Sequence, residues 1–224
     1  MRLFFITFLM MPLMAWAQID ITPPSVLKDG NLPLLTLKKW NNDQVRGDLN
    51  NDGIDDIVVM ATPTFQELIE KNEELGVEYD YNQPVLAIFF GQDGADYQCF
   101  KQYENVLPRR ESPYELIEYS MEITPKGVLQ IDISRSMSMG SWGSSQDTFK
   151  FRYQNGDFFL IGMDNLSFMR NSGDAETDSY NYLTSKKQHV TFNMFDTKVK
   201  KKEKWTNLPK QPLRRLGDSS LEEY

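Results

Sequence analysis

The stretch FKFRYQNGDFFLI, residues 149–161, decides the fold class of this 224-residue chain. Aromatic and charged residues alternate before the central Asn155-Gly156 pair, and apolar residues follow Asp157. Asn-Gly is the preferred pair of a two-residue type I′ turn, because both positions of that turn need a positive φ. The stretch therefore predicts a β-hairpin with strands over Phe149–Tyr153 and Phe158–Ile161.

Other short strand candidates, separated by turn residues, precede this hairpin in the chain. Ile117–Ile123 and Val128–Ile133 flank a Pro-Lys-Gly turn at 125–127, and their alternation predicts a second hairpin with one solvent-facing side. Ile57–Met60 and Val85–Phe90 are continuous apolar runs, which indicates strands covered on both faces. We therefore expect an all-β, β-dominated fold of antiparallel sheets, either propeller-like or sandwich-like.

One segment between the two apolar runs is expected to be helical. Phe65, Leu68 and Ile69 recur at helical spacing within residues 64–75, and Gly76 follows as a stop signal. The first residues of the segment also have the spacing of a capping box. The pattern predicts one short helical insertion in the β-rich fold.

Three other segments are predicted to lack regular structure. Residues 134–147 are rich in Gly, Ser and Met, which favours a loop on which Trp142 either contacts a partner or folds back onto the core. Residues 174–178 alternate acids but lack the glycine of a calcium loop, so we interpret them as a solvated loop. The polar tail from Leu208 is expected to be loosely held at its end.

The first 17 residues are typical of a signal peptide. A positive charge precedes an apolar run over Leu3–Leu13, and Ala15-Trp16-Ala17 fits the small-x-small cleavage pattern. Gln18 stands where a lipoprotein would need a cysteine. No later stretch approaches the roughly 20 apolar residues of a transmembrane helix. We expect a single β-rich domain over residues 18–224, periplasmic or secreted, with no transmembrane segment after cleavage.

The charge of the chain is acidic overall and basic in one segment. The formal net charge is −8 at pH 7, which argues against a nucleic-acid partner. Residues 186–215 depart from this balance, because their only acids are Asp196 and Glu203 among many lysines and arginines. This basic segment would suit an anionic surface. Its stretch TKVKKKEKW is also typical of an edge strand guarded by lysines.

The stretch GDLNNDGIDDIVV, residues 47–59, has the pattern of a calcium loop. Calcium takes six to eight oxygen ligands, and side chains at alternate positions of a curled loop can all point inward. Gly53 permits the sharp turn that brings the next backbone carbonyl round to the ion. The alternative is a plain Asx turn before a strand. The expected ligands of one structural Ca²⁺ are Asp48, Asn50, Asp52, the carbonyl of Ile54, and Asp56.

The loop is not an EF-hand, because its twelfth position is Val59 and a strand follows it. Together with a second strand that ends in FFGQDG, residues 89–94, it resembles the FG-GAP or VCBS-type repeat of integrin-like β-propellers and small exported bacterial proteins. Residues 140–162 also resemble a segment of periplasmic proteins with one such repeat. The resemblance implies a calcium loop, residues 48–56, that joins two strands, with Asn50 replacing an Asp.

The resemblance does not extend to a complete multi-blade propeller. Each blade takes about 40 to 45 residues, and the chain has only one loop of this type.

No pattern in the sequence supplies a catalytic constellation. His189 is the only histidine and Cys99 the only cysteine, and neither has a companion motif. We expect no catalytic residue, no organic cofactor and no enzyme activity, but an exported calcium-binding module for a protein or glycan of the envelope. One alternative docks on an anionic envelope surface through the basic segment. Another is a carboxylate-dependent hydrolase, because pairs of carboxylates can cleave glycosides.

Overall fold

The computed structural model describes residues 26–27, 40–94 and 96–223. The expected signal peptide and its cleavage site lie outside these residues. Among the described residues, no helix is long and apolar enough to cross a bilayer. The strands in chain order are β1 Val26–Leu27, β2 Trp40–Gly47, β3 Asp56–Pro63, β4 Ile69–Asn72, β5 Val77–Asp80, β6 Val85–Gly91, β7 Tyr97–Tyr103, β8 Glu115–Ile123, β9 Val128–Met137, β10 Gly143–Gln154, β11 Asp157–Met169, β12 Asp174–Asn181, β13 Lys186–Asn193 and β14 Lys202–Asn207.

These strands form two large antiparallel sheets and a separate hairpin. The first sheet has the order β1-β7-β6-β3-β2. The second has the order β14-β13-β12-β11-β10-β9-β8, so each of its strands pairs with its neighbour in the chain. β4 and β5 pair only with each other. The expectation of a β-dominated fold of antiparallel sheets is confirmed, and the architecture is sandwich-like.

One hydrophobic core contains residues of both sheets. Val58 and Ile88 of the first sheet share a cluster with Ile131, Phe149 and Phe158 of the second, and all five are almost completely buried. The burial of such side chains stabilises the fold by roughly 25 cal/mol per Å² of apolar surface. The other face of β3 and β6 is buried as well, which confirms the expectation from their continuous apolar runs. Its residues are Ile57, Val59, Ala87 and Phe89.

Both predicted hairpins form. β10 and β11 pair across Asn155 and Gly156, which have φ values of 52° and 81°, as a type I′ turn requires. β8 and β9 pair across residues 124–127, and every second residue of β8 is exposed. β14 is the edge strand of the second sheet and all six of its residues are exposed, as the lysine pattern predicts.

The helix expected over residues 64–75 is wrong. One 3-10 turn, Gln66–Leu68, leads into the β4–β5 hairpin, and no side chain caps its N-terminus. Leu68, from the expected apolar helix face, is exposed, so that face has no core to pack against. Cross-strand pairing replaces it and includes an ion pair of 2.7 Å between Lys71 and Glu78. Gly76, with φ +63°, belongs to the hairpin turn and is not a helix stop.

Three further expectations are corrected by the structure. Most of residues 134–147 belongs to β9 and β10, and only 138–142 forms a loop. The acidic run 174–178 lies in β12. The tail is held to the core, because Leu216 and Leu221 are buried. In each case cross-strand pairing or a distant apolar contact overrides a local composition that favours loops.

Candidate functional site

The loop of residues 48–55 joins β2 to β3 at one end of the sandwich. A Cβ atom on Gly91, at the end of β6, would lie 2.5 Å from the carbonyl oxygen of Asp55. A Cβ atom on Gly127, in the β8–β9 turn, would lie 2.8 Å from the carbonyl oxygen of Asp48. Glycine is therefore required at both positions, and the loop contacts elements of both sheets.

The polar side chains of this loop turn toward its own backbone N–H groups. Asp48 accepts hydrogen bonds from the backbone of Asp52 at 3.2 Å and of Gly53 at 2.9 Å. The side-chain amide oxygen of Asn50 accepts a hydrogen bond from the same Asp52 N–H at 2.9 Å. Asp52 accepts from the backbone of Ile54 at 2.8 Å. Gly53 adopts φ +87°, which allows the chain to curl around these oxygens.

The carboxylate of Asp56 lies at the base of the loop and is fully buried. Its two oxygens accept hydrogen bonds from the backbone N–H groups of Leu49 at 2.8 Å and Gly91 at 2.9 Å. Burial raises the pKa of Asp56 above its ordinary value; the two hydrogen bonds oppose this, and the charges of Asp52 and Asp48 add to it. The three carboxylates therefore act on one another electrostatically.

The oxygen atoms of this loop are the type of ligand that a hard cation prefers. Every predicted ligand is an oxygen, and a carboxylate oxygen that accepts one N–H retains a second lone pair. Side-chain oxygens of Asp48, Asn50 and Asp52 all accept backbone N–H groups of this loop. Asp56 accepts the N–H of Leu49 from the same loop, which also contains Ile54. Within residues 26–27, 40–94 and 96–223, no three His, Cys, Asp or Glu side chains form a metal-binding group. The proposed ligand set also includes an amide oxygen, from Asn50, and a backbone oxygen, from Ile54.

The histidine and the cysteine lie in different sheets. His189 is in β13, where its Nδ1 lies 2.8 Å from Oδ1 of Asp178, and the same oxygen lies 3.0 Å from Nζ of Lys187. Burial opposes ionisation of Asp178, but hydrogen bonds from Lys187 and His189 outweigh it, so the pKa of this carboxyl is lowered. Cys99 is in β7 and packs on the face of the first sheet away from the shared core. Burial raises the pKa of its thiol.

Exposed apolar side chains collect at one end of the second sheet. The β9–β10, β11–β12 and β13–β14 connections lie there. We define the loop rim as residues 138–142, 169–173 and 194–201. Trp142 is 60% exposed and Phe195 is 66% exposed, so the alternative in which Trp142 folds back onto the core is wrong. The exposed apolar residues of the loop rim are Met139, Trp142, Met169, Met194, Phe195 and Val199.

Hydrogen bonds join neighbouring loops of the rim. The guanidinium of Arg170 donates to the carbonyl of Ser141 at 3.0 Å and lies 5.9 Å from the ring centre of Trp142. On the other side, the backbone N–H of Met194 donates to the carbonyl of Gly173 at 2.7 Å, and the amide of Asn193 donates to the carbonyl of Ser172 at 3.0 Å. The three loops thus form one continuous surface.

The sequence alone does not single out Arg170 or Asn193. Each acts on residues that are close only because the second sheet places adjacent loops side by side. The one local signal at Arg170 is the Arg170-Asn171-Ser172-Gly173 run, which is typical of a turn.

Comparison with known proteins gives no match, since no family model, curated protein or solved structure is similar to this chain.

Proposed function

We propose that this chain is an exported binding module, FG-GAP- or VCBS-like in its loop, that one Ca²⁺ stabilises at residues 48–56. The observation that carries the proposal is the arrangement of the loop oxygens. Asp48, Asn50 and Asp52 point into the curled loop, and the buried Asp56 carboxylate lies at its base. Carboxylate, amide and backbone oxygens are the ligands that calcium takes.

The ion has a structural role in this proposal. Burial is the main cause of the raised pKa of Asp56, and without a cation the charges of Asp52 and Asp48 add to it by repulsion. A divalent ion turns this repulsion into attraction and holds the loop against Gly91 of one sheet and Gly127 of the other. Magnesium suits the loop less well, because it prefers a rigid octahedron that keeps several waters.

The proposed recognition function rests on the loop rim, at the end of the second sheet away from the 48–55 loop. Trp142 and Phe195 are large apolar side chains that a folded protein rarely leaves exposed together without a partner. We infer that the partner belongs to the cell envelope, as a protein, a glycan or an anionic surface. The anionic surface is favoured by β14, where Lys202 and Lys204 are exposed.

Thermal unfolding in millimolar calcium and in chelator tests the calcium proposal. A ligand that binds only the folded state at a Kd of about 10⁻⁴ to 10⁻³ M adds about 1 kcal/mol at millimolar concentration. For a chain of this size that raises the Tm by roughly 2–4 °C. Asp52→Asn should abolish most of the gain, because it removes a charged ligand but keeps an oxygen that can accept the Ile54 N–H.

The matched control is Asp55→Asn, which removes one negative charge from an exposed residue of the same loop at a position that is not a ligand. It should retain the calcium-dependent gain in Tm. Equal responses of the two variants would show that calcium acts on the general charge of the loop and would contradict a specific site.

A further inference from the structure

We propose that the loop rim docks onto a lipid bilayer that contains anionic lipids, with its apolar side chains in the interface and its cations at the headgroups. This names the partner of the module and rests on the proposed binding function, although not on calcium. The evidence lies in the placement, the charge and the rigidity of the rim.

The apolar side chains of the rim come from two loops and from a strand end between them, all at the same end of the second sheet. Met139 and Trp142 are on the first loop, Met169 ends the strand before the second, and Phe195 and Val199 are on the third. Exposed apolar residues gathered into one patch mark an interaction site. Side chains at loop tips can enter a bilayer interface together while the sheet stays in water.

The charge of the rim is opposite to that of the molecule as a whole. The rim carries four cations, Arg170, Lys198, Lys200 and Lys201, against the single acid Asp196. The whole chain has a net charge of −8. An anionic surface would therefore repel most of the molecule and attract this end, which fixes the orientation of docking.

The spacing of charges favours a bilayer over a protein as the partner. Val199 lies between Lys198 and Lys200, and Phe195 precedes these residues in the same loop. The core of a protein–protein interface is depleted of lysine, because desolvating the ammonium group is costly. At a membrane, the lysine stem can lie along the apolar region while its charge stays at the headgroups.

The third loop has a defined conformation before any partner binds. The side-chain oxygen of Asn193 accepts hydrogen bonds from the backbone of Phe195 at 2.9 Å and Asp196 at 2.8 Å. Asp196 in turn accepts from the backbone N–H of Lys198 at 2.9 Å. Phe195 also packs over Gly173, where a Cβ atom would lie 2.6 Å from its ring. Less ordering entropy is therefore lost on docking.

Vesicle sedimentation tests the proposal, with the protein in chelator to keep calcium out of the result. We expect binding to phosphatidylcholine vesicles that contain about one-third phosphatidylglycerol, little binding to phosphatidylcholine alone, and weakening as salt is added. Lys200→Glu with Lys201→Glu should lower the partition coefficient about tenfold or more. Phe195→Ser should lower it several-fold, because it removes an apolar side chain from the interface.

Two control variants carry the same types of substitution at positions outside the rim. Leu75→Ser changes a side chain that is as exposed as Phe195, at 66%, but lies in the β4–β5 turn. Lys126→Glu with Lys210→Glu reverses two exposed charges. These lysines follow β8 and β14, at the strand ends that lie away from the rim. Both controls should bind like the unchanged protein, and unchanged circular dichroism should show that all variants are folded.

Three results would overturn the proposal. The first is no binding to the anionic vesicles at low salt, and the second is equal loss in the rim variants and their controls. The third is a concentration-dependent dimer that Phe195→Ser disperses, because the rim would then join two copies of the chain. The calcium-dependent Tm is measured separately, so failure of vesicle binding leaves the calcium proposal standing, and failure of the calcium site leaves docking standing.

Discussion

Asp56, one of the proposed calcium ligands, also has a role in the fold itself. Its carboxylate is fully buried and accepts the N–H groups of Leu49 and Gly91. Removal of the carboxylate would leave two buried donors without partners, at a cost of about 1–3 kcal/mol each. Loss of function in an Asp56 variant would therefore say little about metal binding, which is why Asp52→Asn is the better test.

Asp178 makes a pH-dependent contribution to stability that can be measured apart from the loop. Lys187 and His189 hydrogen-bond to it, and its pKa is lowered. A carboxyl with a lowered folded pKa stabilises fully above its unfolded pKa, and the stabilisation is lost as pH falls through the folded pKa. We expect Asp178→Asn to lower the free energy of unfolding by about 1 kcal/mol at about pH 6, with a smaller loss at about pH 3.

Urea denaturation of the unchanged protein and the variant at the two pH values gives this difference. Glu118→Gln is the control, because Glu118 is exposed on the solvent-facing side of β8. The control should change stability little at either pH. A cost of Asp178→Asn that is the same at both pH values would contradict an ionic origin and indicate lost packing.

At the scale of elements, the hairpins could be predicted from sequence and the 64–75 segment could not. Asn155-Gly156 encodes its turn locally, through two residues that accept positive φ. The choice between helix and hairpin in 64–75 depends on whether a core lies beside the apolar side chains, which is tertiary information. The pattern of residues 48–56 names the candidate ligands, but their contact with Gly91 and Gly127 appears only in the folded chain.

The junction between β6 and the 48–55 loop gives a prediction at this scale. We expect Gly91→Ala to lower the free energy of unfolding by about 2 kcal/mol, because its Cβ would lie 2.5 Å from the backbone oxygen of Asp55, which has little room to move. The added methyl group would push the loop away from Gly91, whose N–H donates a hydrogen bond to the Asp56 carboxylate. Gly143→Ala is the control, since its Cβ would meet only the Ser141 hydroxyl at 3.2 Å.

The midpoint of urea denaturation measures both glycine variants. Gly143→Ala should change stability by no more than about 0.5 kcal/mol. A small effect of Gly91→Ala, like that of the control, would mean that the loop and β6 separate easily, and the proposed structural role of the ion at this junction would lose its basis.

At the scale of the whole molecule, the two proposed sites lie at opposite ends of the second sheet. The 48–55 loop contacts the β8–β9 turn at Gly127, whereas the loop rim follows the other ends of these strands. Strand β9 runs from Gly127 to the first loop of the rim and separates the two sites. An ion in the loop should thus stabilise the fold without taking part in docking. We therefore expect vesicle binding to persist in chelator.

Isothermal titration calorimetry of calcium into the chain without residues 1–17 tests the central proposal most directly. We expect one ion per chain with a Kd of about 10⁻⁴ to 10⁻³ M, and affinity about tenfold or more lower in Asp52→Asn than in Asp55→Asn. No heat of binding at millimolar calcium, together with a Tm that is the same in calcium and in chelator, would contradict the proposal and make residues 48–56 a plain Asx-rich turn before a strand.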